Sequence, residues 1–131
     1  MPGPAAPQQQ QDSGSALTSI SDGIVRPLKE YYGVGPTQAK TSYHDDLVVC
    51  LMRGGFTRVE QTLLEGGRTT AVIQQRREFQ ELMRDRFVAV IEAATARQVV
   101  GFMSGSQHDP DMICEVFVLA PTDLLPTGEL D

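Results

Sequence analysis

Two short segments carry the side chains best suited to chemistry: His44-Asp45-Asp46 and His108-Asp109-Pro110-Asp111. Imidazole and carboxylate groups bind metals and move protons, but such a site needs three or more of them to converge. His44, Asp46, His108 and Asp109 would supply that set if both segments met at one end of the fold. The plainer reading is that Asp and Pro are ordinary turn residues and that an Asp–His hydrogen bond fixes each turn. The residue types favour turns, so no catalytic residue, cofactor or metal is assigned, and His44, Asp46, His108 and Asp109 stand as the alternative metal set. Ser104 and Ser106 lie near His108 without a nucleophile elbow around them. Gly33-Val34-Gly35 lacks the third glycine and the lysine of a phosphate cradle and reads as a helix stop.

The elements that must position these groups come in a repeated order, a helix leading into a hairpin around residues 38 to 53 and another helix leading into a hairpin around 98 to 119. Leu17, Ile20, Ile24, Leu28 and Tyr31 recur at helical spacing, with Pro27 predicting a kink or a regular part that begins near Asp22. Ala39, Thr41 and Tyr43 alternate with Gln38, Lys40 and Ser42, the pattern of a strand with one wet face. Leu47 to Met52 is apolar on both faces, so this strand is central and needs cover on both sides. Thr57 with Glu60 three residues on forms a capping box for a short helix. Residues 68 to 95 place Val72, Phe79, Met83, Phe87, Val90 and Ala94 on one stripe and Arg77, Glu81, Arg84 and Asp85 opposite, with Arg77 and Glu81 spaced as an ion pair. Val99 to Met103 and Ile113 to Leu119 are the last two strands, and Val49 and Phe117 are both expected in the sheet interior.

The predicted fold is an α+β two-layer sandwich: a four-stranded antiparallel sheet with helices on one face, in the order α-β-β-α-α-β-β, with a pseudo-repeat of an α-β-β unit. One sheet face then lacks cover in a single copy, which predicts a homodimer. Residues 15 to 120 form the domain, flanked by a Pro/Gln-rich disordered tail at 1–14 and a short acidic tail at 121–131.

Composition narrows the function classes. The formal charge is −6, but Asp12, Asp123, Glu129 and Asp131 lie in the two tails, leaving 13 acidic against 11 basic residues in the domain. Such a surface lacks the basic footprint of a nucleic-acid binder. The longest apolar run, Leu47 to Met52, is far short of the roughly 20 residues of a membrane-spanning helix, so no direct membrane insertion is expected. The first residues have no basic and apolar segments of a secretory leader. Cys50 and Cys114 each sit in an apolar run, as reduced thiols of a cytoplasmic protein do.

Seven segments together resemble the MpsC-like family: Tyr31-Tyr32-Gly33, Gly35-Pro36-Thr37, the run from His44 to Cys50, Arg77-Glu78-Phe79-Gln80, Phe102-Met103-Ser104, Asp109-Pro110 and the run from Glu115 to Leu119. The resemblance covers about residues 15 to 120. It implies a soluble cytoplasmic accessory of a bacterial Na+-translocating, membrane-potential-generating system, linked to cation or inorganic-carbon uptake, with a membrane transporter subunit as partner. It implies no catalytic residues. The alternative from the residues themselves is a small metal-dependent sensor or enzyme using the His-Asp tips.

Overall fold

The computed structural model describes residues 5–121, with side chains from Gly14 onward; residues 1–4 and 122–131, and with them most of the expected acidic tail, lie outside the described residues. The elements are α1 (Ala5–Tyr32), β1 (Gln38–His44), β2 (Leu47–Arg53), α2 (Arg58–Glu65), α3 (Thr69–Thr95), β3 (Val99–His108) and β4 (Asp111–Leu119). This is the expected α+β order. The strands form one open antiparallel sheet in the order β1-β2-β4-β3.

Side chains alternate across a strand, and here the alternation sorts the sheet into two unlike faces. On the inner face Val48, Cys50 and Met52 of β2 and Ile113, Phe117 and Leu119 of β4 are buried under Ile20, Ile24 and Leu28 of α1 and Phe87 and Ile91 of α3. The two long helices approach closely where Gly23 meets Val90: a Cβ at position 23 would lie 2.6 Å from Val90 Cγ1. Pro27 is inside α1 and fully buried, so the helix does not restart near Asp22. Packing of the Ile20-Ile24-Leu28 stripe holds the helix through the missing backbone donor, as tertiary contacts generally outweigh local propensity. The helix ends where expected, with Gly33 at φ 82° donating its N–H to Lys29 O at 3.0 Å.

Three expectations change. β3 runs past Met103 through Gly105-Ser106-Gln107 to His108, so the second hairpin tip is only Asp109-Pro110. The fully buried residues of α3 are Val72, Arg76, Gln80, Phe87 and Ile91, with Phe79, Met83, Val90 and Ala94 half-buried against the core, so the expected stripe is joined by two polar side chains that it did not include. Val49 faces outward and is half-buried, whereas Phe117 lies in the interior. Phe117→Asp therefore abolishes folding, because an unpaired charge would enter the core. Val49→Asp keeps a folded domain, and far-UV circular dichroism with an amide NMR spectrum of each variant distinguishes the two outcomes.

Candidate functional site

The His-Asp segments do lie at hairpin tips, but not together. Leu47 pairs with Val118 and Arg53 with Met112, so the β1–β2 tip lies beside the C-terminal end of β4 while the β3–β4 tip lies at the far end of β2. Seven residues of strand at about 3.3 Å each separate them by roughly 20 Å. The repeated helix-hairpin units explain this: two like hairpins joined through an antiparallel central pair must point their tips in opposite directions. His44 and Asp46 are thus at one end, His108 and Asp109 at the other. No group of three or more His, Cys, Asp or Glu side chains suited to a metal occurs among the described residues.

An arginine engages a carboxylate at or beside each tip. At the first, the Arg97 guanidinium donates to Asp46 Oδ1, Asp45 O and Ala120 O, each at 2.7 Å, and to the Tyr43 hydroxyl at 3.2 Å. His44 meets only Asp45, at 3.3 Å, and both side chains are exposed. At the second tip Asp111 accepts from Arg76 Nη1 at 2.9 Å. Arg76 also donates from Nε to Glu60 Oε2 at 3.2 Å and from Nη2 to Glu60 Oε1 at 3.4 Å, and its Cζ lies 4.1 Å from the centroid of the Phe56 ring.

This centre is buried, with Arg76 at 4% and Glu60 at 1% exposure. Glu60 holds the position because it closes the expected capping box, accepting the Thr57 N–H at 3.0 Å while Thr57 Oγ1 accepts the Glu60 N–H at 3.1 Å. Burial raises the Asp111 carboxyl above its usual range, and Arg76 opposes that rise. The sequence signal for the centre is Arg76 itself, four residues after Val72 on the stripe that continues to Phe87 and Ile91. Arg76→Ala should lower stability by about 3–5 kcal/mol in urea unfolding, because Glu60 would be left buried without its cation.

Glu115 is a second buried carboxylate, at 1% exposure, placed in phase with Ile113 and Phe117 on the inner face of β4. Cys50 and Ser104 flank it on the neighbouring strands. Burial pushes its carboxyl up to about 7, against the lowering effect of the Ser104 hydroxyl. An acid whose folded-state pKa is raised binds more protons folded than unfolded, so its stabilising contribution is full at acid pH and is lost as pH climbs from about 4.5 to about 7. Urea unfolding across that window should show stability falling by something on the order of 3 kcal/mol, and Glu115→Gln should flatten the dependence.

The outer sheet face is open. Leu47, Val49 and Leu51 of β2, Cys114, Val116 and Val118 of β4 and Met103 of β3 lie on it, and the exposure of Leu47 (44%) and Met103 (59%) shows that no described helix covers them. Its charged groups among the described residues are Lys40 and Arg53, with His44 at the tip of β1. Cys50 and Cys114 point to opposite faces and are both free thiols. No helix among the described residues is long and apolar enough to cross a membrane.

A family model described as "Na+-translocating membrane potential-generating system (MpsC)" matches residues 13–121 of the 131-residue chain. No curated protein and no solved structure matches it.

Proposed function

Since the chain belongs to the MpsC family of the Na+-translocating membrane potential-generating system, we propose that it serves such a system as a non-enzymatic accessory or regulatory protein. In this reading it is soluble, works on the cytoplasmic side as a homodimer, and engages a membrane transport subunit. The observation that carries the reading is the uncovered apolar face formed by β2, β4 and β3. Contiguous apolar patches on a soluble protein mark interaction surfaces, and two copies of one open sheet pack face to face at about 10 Å with their inner rows interdigitated. The alternative, a metal-dependent sensor or enzyme on the hairpin tips, would need each tip to act alone, since His44 and Asp46 lie at one end of the sheet and His108 and Asp109 at the other, and Arg97 already engages Asp46.

Sedimentation equilibrium at micromolar concentration tests the assembly. The wild-type chain is expected at twice its monomer mass and Val49→Asp at the monomer mass with unchanged secondary structure. A wild-type monomer throughout the micromolar range would reject the dimer. Co-purification of the chain with a membrane transport subunit tests the accessory role.

A further inference from the structure

The outer sheet face carries a pattern of side-chain sizes along β3. Gly101, Met103, Gly105 and Gln107 belong to it, paired across the ladder with Val118, Val116, Cys114 and Met112. Small and large positions therefore alternate in steps of two. Met103 stands clear of its surroundings at 59% exposure. A Cβ built at Gly105 meets nothing within 4 Å, and the missing side chain leaves a depression of about 200 Å³ lined by Leu51, Gly105, Ser106, Gln107, Met112 and Cys114. A thioether knob and a largely apolar notch thus lie side by side. One copy cannot bring them together, because residues two apart on a strand are held roughly 6.6 Å from each other.

Area and charge decide how a second copy fits. Four strands about 4.8 Å apart over seven paired residues at about 3.3 Å give roughly 450 Å² of flat area, so an interface of ordinary size, about 800 Å² of accessible surface per partner, takes up the whole face and not a corner of it. Two twofold arrangements overlay the whole face. The first sets β3 over β1 of the second copy; it brings Lys40, which shares a row with Leu51, Cys114 and Gly105, onto the apolar notch and buries an ammonium group there at high cost. The second sets β3 over β3 in the opposite direction. It reverses the order of the rows, so neither Lys40 nor Arg53 faces its own counterpart.

Resting on the homodimer reading above, we propose that two copies stack with β3 antiparallel over β3, Met103 of each filling the notch at the partner's Gly105 and Gln107 of each lying over the partner's Gly101. The order Gly-Met-Gly-Gln, read against itself in reverse, sets a large residue opposite a small one at all four positions. Gln107 is held at its end of the strand by its amide, which donates to Pro110 O at 3.1 Å. Val49, Leu51, Val116 and Val118 supply apolar area, and the β3 pattern supplies the register.

Sedimentation equilibrium of the full chain compares the wild type with Met103→Ala, Gly105→Met and the variant carrying both changes. Met103→Ala empties the notch, and Gly105→Met sets two methionines against each other. The twofold applies each change twice, so each should raise the dimer dissociation constant about tenfold or more. The double variant moves the knob two residues along the strand and again opposes large to small, and its constant should return to within about threefold of the wild type. Far-UV circular dichroism should be unchanged throughout, since both positions face water in one copy. In a mixed-label wild-type sample, isotope-filtered NOEs are expected between the Met103 methyl of one copy and the Gly105 α protons of the other. A wild-type dimer that lacks those contacts, that neither single change weakens, or that the double change weakens more than either alone would overturn the register and leave the dimer standing. A wild-type monomer would overturn both.

Discussion

A guanidinium held out of water between two carboxylates tolerates little displacement, because each charge is stable there only while the others are in place. Arg76 imposes that condition on four parts of the chain at once. Glu60 belongs to the first turn of α2, Asp111 starts β4, Phe56 lies in the connection after β2, and Arg76 itself is on α3. The Gly54 N–H donates to Asp111 O at 3.2 Å and ties the end of β2 to the same point. The short helix α2, eight residues long, has little packing of its own and owes its place to this centre. Orientation of α3 over the sheet follows, and with it the burial of Phe87 and Ile91.

The two sheet faces show how one strand can meet opposing demands. β4 alternates Ile113, Glu115 and Phe117 inward with Cys114, Val116 and Val118 outward, so its inner row carries a carboxyl group in an otherwise apolar layer while its outer row is wholly apolar. A polar group in a dry layer is retained at a cost in stability. Glu115 lowers that cost by remaining protonated up to about neutral pH. The outer row carries the opposite liability, apolar area left to water.

Element order, both hairpins and the helix cap at Thr57 were legible because each rests on local spacing: alternation at Ala39, Thr41 and Tyr43, and a Thr-to-Glu interval of three. The uncovered face was legible too, since Leu47 to Met52 is apolar at every position. The buried ion centre was not, because Glu60, Arg76 and Asp111 meet across separations of 16 and 35 residues. The length of β3 escaped notice because Gly105, Ser106 and Gln107 are weak strand formers that pairing with β4 holds extended. Placement of the His-Asp tips depended on the antiparallel pairing of β2 with β4, which no single segment encodes.

The open sheet leaves β1 and β3 as edge strands, each with a row of backbone groups available to any passing chain. Both edges are spoiled as templates. β3 loses its regular ladder between Val99 and Gly101, where the register shifts, and β1 carries Lys40 in its middle, a charge that a docking strand would have to accommodate. Growth by strand addition, which has no natural stopping point, is therefore disfavoured at both ends of the sheet. In the proposed dimer, contact between two copies of the broad face is self-complementary and closes after the second copy. The molecule thus leaves a broad apolar face to water without the edge geometry of a fibre.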